Sequence, residues 1–313
     1  MSSSEHSTET QKFRELKPFP GISSSPSFVI IKKTLKFDLL TRNRLIISIV
    51  FMVLVPALVI AFTPPEVLSG NEYLVQLLGF VTWYYNFSIL FPIIIIGATG
   101  PLISEELRSG TMLFLVSKPI DRIKIVLSKF IALYIFGLVI TILSLSIISL
   151  IALIKYTFAD IGGYLGIFFL YSLIINLFFG GITIGFSSVF RRPRNVLLLP
   201  LTLVIFSFLV LMMFKPLLFI GENWYEKYAL YNFDLGYHFA NIFIWIGQFF
   251  DPNILEYTGQ IFWMFGITKT EDYNNYETTD YYPPIVSLLY LIVVAIIFIV
   301  VAALYLKKRD ISG

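Results

Sequence analysis

The chain has 313 residues, of which 57% are hydrophobic and 14% are charged, with a mean hydropathy of +0.81. Soluble domains are usually about 45–50% apolar, so this composition excludes an ordinary soluble globular protein and indicates a bilayer protein. The chain has no cysteine and two histidines, which excludes disulfides and thiolate chemistry and argues against a zinc or haem site. The net charge of +3 matters less than how Lys and Arg are distributed among the loops.

The N-terminal region divides into two parts. Residues 1–25 are Ser-rich and polar, which predicts a disordered tail. Residues 26–44 predict an amphipathic interfacial helix that Ser25 or Ser27 caps, with Pro26 in its first turn. An ordinary anchor before the first span is the alternative. The apolar positions of this helix form one stripe at helical spacing, made of Phe28, Ile31, Leu35 and Leu39. Three lysines lie mostly off that stripe: Lys32, Lys33 and Lys36.

Residues 45–313 predict an all-α domain with six transmembrane helices, because about 20 apolar residues cross the hydrocarbon core. A seventh apolar run, Phe239–Phe250, has only about a dozen residues and indicates a re-entrant or interfacial piece. The six predicted spans are Leu45–Phe62, Gly79–Ile103, Phe130–Ile154, Gly163–Phe190, Val196–Ile220 and Pro284–Leu306.

The loops alternate in basic content. Nineteen of the 23 Lys and Arg residues fall in the N-terminal region, in the loops after the second and fourth spans, and at the C-terminus. The other side holds Lys155, Lys215, Lys227 and Lys269. Because basic loops stay on the inside, the sequence predicts that both termini are cytoplasmic, which requires an even number of spans.

The loop between the second and third spans, residues 104–129, is the most informative segment. Glu105 and Glu106 end the second span, and Gly110 permits a sharp turn. The run Met112–Val116 is too apolar for an exposed loop, so it lies on lipid or in a protein groove. Pro119 and Asp121 then suit the first turn of the next helix. A plain interfacial elbow and a helix that docks on a partner are both consistent with these residues.

The pattern in this loop resembles the signature of permease subunits of type-2 ATP-binding-cassette (ABC) exporters. The C-terminus is also similar to that family's usual ending, in which basic residues precede an Asp-Ile pair, here Asp310 and Ile311. The resemblance implies an interfacial connecting helix at residues 26–44 and a short cytoplasmic coupling helix that docks on an ATPase. The residues that carry the resemblance or the docking are Glu105, Gly110, Thr111, Phe114, Leu115, Ser117, Pro119, Asp121, Arg122 and Lys129.

The resemblance further implies a permease of the plasma membrane that dimerises, as a homodimer or with a second permease, and recruits two copies of a cytosolic ABC ATPase. The substrate would pass between protomers near the second and fifth spans, and export is favoured. The chain has no GxxxxGK[ST] loop, so ATP and magnesium would bind the partner ATPase. We expect no catalytic, cofactor-binding or metal site and no nucleic-acid partner.

Two other classes of function remain open. One is a channel or carrier that works without an ATPase, although the predicted lack of Asp, Glu, Lys, Arg and His inside the spans disfavours proton coupling. The other is a non-transporting membrane scaffold or enzyme that uses the long outer segment, residues 221–283. The spacing of Asp234, His238, Asp251 and Glu256 matches no trusted metal motif.

The outer segment is rich in Trp and Tyr, which is typical of an aromatic anchor at the membrane surface. Alternatively, short helices dip into the outer leaflet and form an outer gate, for which Ile244 and Trp245 are the candidates. Within the spans, the run Gly180–Gly185 indicates close helix packing or a dimer seam, and Asn86 and Asn176 are isolated amides that neighbouring helices or a substrate could satisfy.

Overall fold

The computed structural model describes residues 25–63, 79–112, 120–155, 161–219, 223–250, 254–272, 275–279 and 281–309. These residues are helical apart from turns and one short β-hairpin. Six of the helices are long and apolar enough to cross a membrane, which confirms the predicted all-α fold with six transmembrane helices. Residues 1–24, in the predicted disordered tail, lie outside the described residues.

The six spans agree with the predicted ones to within three residues, except that the second ends six residues later and the third begins eight residues earlier. They are Arg42–Phe62, Gly79–Ser109, Arg122–Ile154, Ile161–Val189, Pro193–Phe219 and Pro284–Lys308. Their α-helical parts, with the helix that precedes them, are α1 (Pro26–Lys33), α2 (Arg42–Phe62), α3 (Phe91–Ser109), α4 (Arg122–Lys155), α5 (Ile161–Val189), α6 (Pro193–Ile205) and α7 (Leu211–Phe219). The second span begins with a π-helical stretch, Thr82–Leu90, and another, Phe206–Val210, joins α6 to α7.

The segment between the fifth and sixth spans forms a folded assembly of short elements. It contains α8 (Trp224–Lys227), a 3-10 turn (Leu230–Asn232), α9 (Leu235–Phe250), α10 (Ile254–Trp263), and the antiparallel strands β1 (Thr268–Asp272) and β2 (Asn275–Thr278). The sixth span is α11 (Pro284–Lys308). The β-hairpin was not among the expectations from the sequence.

The N-terminal helix α1 starts as predicted. The Ser25 hydroxyl accepts the Phe28 amide at 3.4 Å, and Pro26 occupies the first turn. The helix continues into a π-helical turn, Thr34–Leu39, and packs along the third span. The predicted apolar stripe is only partly buried, because Leu39 is enclosed whereas Phe28 is 56% exposed. An exposed ring beside exposed lysines suits a helix that lies on a membrane surface.

The fourth span is the centre of the bundle and packs against the second, third and sixth spans. Its glycines allow this close packing: a Cβ atom at Gly181 would lie 3.0 Å from the Ala295 carbonyl oxygen of the sixth span, and Gly180 faces Leu133 of the third. Small residues permit helix backbones to approach in this way. The run Gly180–Gly185 therefore serves helix packing within the chain, which was one of the two alternatives.

The two ends of the bundle differ in chemistry. One end, which we call the basic end, holds α1, the elbow after the second span and the ends of the fourth and sixth spans, where Arg122, Lys129 and Arg309 lie. The other end, the aromatic end, holds α8 to α10 and the hairpin. The first and last described residues thus lie at the same end, as an even number of spans requires.

Helix α9 contains the seventh apolar run, Phe239–Phe250, for which the sequence predicts a re-entrant or interfacial piece. The helix has 16 residues, begins at Leu235 rather than Phe239, and packs against the fourth and sixth spans. Its Phe239 ring contacts Phe178 and Phe179 at centroid distances of 5.3 and 5.7 Å. Protein, rather than lipid, encloses most of this helix, because its aromatic side chains pair with those of the fourth span.

Candidate functional site

The predicted coupling elbow begins where the second span ends. Gly110 terminates α3 in the left-handed conformation, with φ of +73°, which glycine adopts far more readily than other residues. Just before it, the exposed side chains of Glu105 and Arg108 form an ion pair at 2.5 Å. The hydroxyls of Ser109 and Thr111 lie 2.9 Å apart. The sharp turn expected at Gly110 is therefore present.

The apolar run that follows is held by the chain itself at its first residue. Met112 is fully buried in a small core at the basic end, together with Ile103, Ile125 and Val126. It is therefore unavailable for docking, contrary to the expectation that the whole run Met112–Val116 faces a partner or lipid. Four predicted coupling residues lie outside the described residues: Phe114, Leu115, Ser117 and Pro119.

The elbow ends at Asp121 and Arg122, which begin the third span. The Asp121 carboxylate accepts the Ile123 amide at 3.1 Å, so it caps the positive end of α4. Asp121 thus precedes the helix, which begins at Arg122, rather than lying in its first turn as the sequence predicts. Arg122 turns the other way and donates to the carbonyls of Leu306 at 3.0 Å and Arg309 at 2.7 Å. The last carbonyls of a helix have no partner inside it, so Arg122 caps the sixth span.

Arg309 repeats this arrangement on the fourth span. Its guanidinium donates to the carbonyls of Ser188 at 2.9 Å and Val189 at 3.1 Å, the last two residues of α5. Arg122 and Arg309 thus connect the third span to the sixth and the sixth to the fourth. Neither connection was predicted from the sequence, although a basic residue near the end of a helix is an expected partner for its terminal carbonyls.

A buried ion pair joins the second and third spans beside the elbow. Lys129 is 1% exposed; its ammonium lies 2.6 Å from a Glu106 carboxylate oxygen and also donates to the Leu102 carbonyl. Breaking such a pair leaves an uncompensated buried charge and typically costs about 3–5 kcal/mol. The two helix ends that flank the elbow are therefore fixed to each other.

The sequence model of the ABC-2 family transporter proteins matches residues 28–311. The chain belongs to this family. No curated protein matches it. The match runs from α1 through the basic end and the aromatic end to the last span, so it covers every element of the described fold.

As an ABC-2 family member, the chain is the membrane component, the permease subunit, of an ABC transporter. This family is a membrane component and not a catalytic subunit. With its six apolar helices, the chain is a multi-pass membrane protein. Within the part of the chain that the structure describes, no three His, Asp or Glu side chains come together as a metal-binding group.

The aromatic end of this ABC-2 permease contains the predicted gate residues. Ile244 is buried in the main core, and Trp245 is half-buried with its ring 5.5 Å from that of Phe249. The two side chains follow one another on α9, so they point in different directions. The proposed gate role of Ile244 and Trp245 stays a prediction.

A buried ion pair corrects the expectation that the spans lack ionisable residues. Lys215 belongs to the fifth span and is fully buried with Asp234. Its ammonium also donates to the Phe265 carbonyl at 2.9 Å. Tyr225 donates to the Asp234 carboxylate at 2.7 Å; burial, reinforced by the charge of Asp234, raises the pKa of Tyr225 above its ordinary value and keeps this phenol a donor.

His238 belongs to a second polar network, between α9 and the sixth span. Its Nδ1 lies 3.0 Å from the Ser287 hydroxyl, to which Asn241 also donates at 3.1 Å, and its ring stacks on Tyr290 at 4.5 Å. Burial lowers the pKa of His238 below its ordinary value. Among the described residues, His238 and Asp234 thus have structural partners rather than the arrangement of a metal or hydrolytic site.

The two isolated amides differ in their surroundings. Asn176 of the fourth span donates to the Tyr134 carbonyl of the third at 2.8 Å, so a neighbouring helix satisfies its nitrogen. Asn86 is fully buried in the π-helical stretch of the second span, and neither its nitrogen nor its oxygen has a partner among the described residues. Buried polar groups normally find partners, so Asn86 keeps hydrogen-bonding capacity for water or a substrate.

Proposed function

We propose that the chain is the membrane-spanning subunit of an ATP-driven exporter and that a separate cytosolic ABC ATPase hydrolyses the ATP. The observation that carries this proposal is the anchoring of the elbow at both ends. Met112 is buried in the bundle before it, and Asp121 and Arg122 cap helices after it. Residues 113–119, which include the predicted docking residues Phe114 and Leu115, are therefore tethered between two fixed points.

This anchoring supports a mechanical route from the elbow into the bundle. A push on residues 113–119 acts on the ends of the second and third spans, which the Lys129–Glu106 pair holds together. Arg122 passes the displacement to the sixth span, and Arg309 passes it to the fourth. An ATPase that closes on ATP and magnesium would thus move four spans through one docked segment.

The assembly that we propose contains two permease chains and two ATPase subunits in the plasma membrane, with the basic end and both termini in the cytoplasm. The excess of Lys and Arg in the loops at that end supports this orientation. A homodimer is the simplest arrangement, and a heterodimer with a second permease is the alternative.

The second and fifth spans are the proposed walls of the export path between the two protomers. Each of these spans contains a π-helical stretch with a side chain that remains exposed in the single chain, Tyr85 in the second span and Phe206 in the fifth. Such stretches are rare and occur frequently at functional sites. The buried, unpartnered Asn86 lies in the same stretch as Tyr85.

Capture of the ATPase tests the proposal. The tagged chain is purified from membranes of its source organism, and co-purified ABC ATPase is quantified by mass spectrometry. We expect Phe114→Asp to reduce capture at least tenfold, because a carboxylate in an apolar groove costs several kcal/mol. The control Phe233→Asp changes an exposed ring at the aromatic end and should leave capture intact.

Equal capture by both variants would contradict docking through the elbow. Transport by the purified chain alone in liposomes, without any ATPase, would instead support the channel or carrier.

A further inference from the structure

A cleft of about 420 Å³ opens at the basic end, between the N-terminal helical segment and the last turns of the second span. Small-molecule sites usually have volumes of about 300–1,000 Å³. The N-terminal segment and the second span each contribute apolar and polar residues to its lining. The apolar ones are Phe37, Pro101 and Leu102, and the polar ones are Asp38, Thr41, Arg44, Glu105 and Glu106.

Two of the charged residues in the lining have close partners, which leaves one anion and one cation. Glu105 is paired with Arg108, and Glu106 with Lys129. Asp38 remains: its half-buried carboxylate has no hydrogen bond and no close ion pair to the described residues, although the charge of Lys129 attracts it from a greater distance. Arg44 uses one guanidinium nitrogen to cap the Asp38 carbonyl and retains further N–H groups. The cleft thus offers a carboxylate and a guanidinium among apolar side chains.

We propose that this cleft binds the headgroup of a zwitterionic phospholipid that carries a primary amine. Arg44 binds the phosphate, since the planar guanidinium suits that anion. The ammonium group donates to Asp38, and Phe37, which is 64% exposed, contacts the first methylenes of the acyl chains. The site lies between the second span and the chain that follows α1, from its π-helical turn to the start of α2. Headgroups are found at this level if α1 lies on the membrane surface.

The chemistry of the cleft disfavours the other common headgroups. A purely anionic headgroup would satisfy Arg44 but would face the carboxylate of Asp38 without a counter-charge. A trimethylammonium headgroup has no N–H to donate and is recognised by cages of several aromatic rings, whereas the described lining has one ring, Phe37. The bound lipid would join the N-terminal segment to the second span beside the elbow, whichever partner the elbow has.

Lipid binding to the purified, delipidated chain tests the inference. Native mass spectrometry is performed with dihexanoyl phosphatidylethanolamine, phosphatidylcholine and phosphatidylglycerol. We expect one phosphatidylethanolamine per chain, bound about tenfold more tightly than the other two, a difference of about 1.4 kcal/mol. Asp38→Asn should abolish this preference, and Arg44→Gln should weaken binding of all three lipids. The controls Glu226→Gln and Arg42→Gln alter exposed charges outside the cleft.

A second variant separates loss of the site from loss of the fold. Thr41 lines the cleft, and its side chain makes no capping hydrogen bond to the described part of α2, so Thr41→Trp fills the cleft and leaves every charge in place. We expect it to exclude phosphatidylethanolamine without lowering the unfolding temperature. Equal binding of the three lipids to the unmodified chain, or unchanged phosphatidylethanolamine binding by Asp38→Asn or Thr41→Trp, would overturn the inference.

Discussion

The ammonium group of Lys215 and the carboxylate of Asp234 form an ion pair, and both side chains are buried from solvent. The pair joins the fifth span to the residue that precedes α9. Because Lys215 also donates to the Phe265 carbonyl and lies over the rings of Tyr225 and Phe265, one side chain attaches α8, α9 and the turn before β1 to the same span. The aromatic end is therefore fastened to the fifth span.

Removing one partner of this pair should destabilise the aromatic end. We expect Lys215→Met to lower the free energy of unfolding by about 3–5 kcal/mol, because it leaves the Asp234 carboxylate buried without a counter-charge. The double variant Lys215→Met with Asp234→Asn should recover part of this loss. Thermal unfolding in detergent measures both, with Lys124→Met, an exposed lysine at the basic end, as the control. A loss as large in the control, or no recovery in the double variant, would contradict the role of the pair.

The His238 network should make stability depend on pH. Burial lowers the pKa of His238 below its ordinary value of 6.5, so the unfolded chain binds a proton that the folded chain does not as pH falls below about 6.5. Stability should therefore fall in this window, down to the lowered pKa, by at most about 1.4 kcal/mol per pH unit. Unfolding temperatures measured at about pH 8.0 and about pH 5.5, on either side of the ordinary histidine pKa, report this effect.

His238→Gln keeps a side chain that can bond to Ser287 but cannot titrate. The difference in unfolding temperature between the two pH values should be smaller in this variant than in the unmodified chain. An identical difference would show that other groups cause the pH dependence.

Arg309, which caps the fourth span, should contribute more than its neighbour Lys308 to the coupling of ATP hydrolysis to transport. We expect Arg309→Gln to lower stability by about 1–2 kcal/mol, through loss of charged bonds to helix-terminal carbonyls. If the proposed route holds, it should also reduce transport per ATP hydrolysed while ATPase capture stays normal. Lys308→Gln removes the adjacent exposed charge and is the matched control. Equal coupling ratios in the two variants would exclude Arg309 from the route.

A substitution at Gly110 should act through the backbone conformation of the turn rather than through the size of the new side chain. A Cβ atom there would meet nothing within 4 Å, but φ is +73°. We expect Gly110→Val to impair coupling, because the left-handed conformation costs a β-branched residue at least about 1–2 kcal/mol. Gly110→Asn should retain most of the activity, since asparagine tolerates this conformation. ATP-driven transport in proteoliposomes measures both; equal loss in the two variants would contradict the role of the left-handed backbone conformation at position 110.

Membrane orientation can be tested directly because the chain has no cysteine. We expect Arg192→Cys, after the fourth span at the basic end, to react with an impermeant thiol reagent from the cytoplasmic side alone. Tyr276→Cys, on β2 at the aromatic end, should react from outside alone. Labelling of both from one side would contradict the six-span topology.

The spans and the start of the elbow could be predicted because their signals are local. Twenty apolar residues, a serine before a proline, and a glycine after two carboxylates each specify structure through neighbours in the chain. The connections made by Arg309 and Lys215 could not be predicted in this way. Their partners lie 121 and 19 residues away, Ser188 and Asp234 respectively, and only tertiary packing brings them together.

Helix α9 shows a different limit of prediction from the sequence. Hydropathy reports that its side chains avoid water, and lipid and protein interior satisfy that requirement equally well. Its enclosure by the fourth and sixth spans depends on aromatic partners such as Phe178 and Phe179, which apolar content alone does not specify.

The approach of the sixth span to Gly181 also constrains how this sequence can diverge. The atom nearest to a Cβ atom at position 181 is a backbone oxygen, that of Ala295, whereas at position 180 it is a side-chain methyl group of Leu133. A smaller residue at position 133 can make room for a larger one at 180, but no replacement at 295 removes its carbonyl. Among natural relatives, positions 180 and 133 are therefore free to covary in size, while position 181 should stay small whatever residue stands opposite.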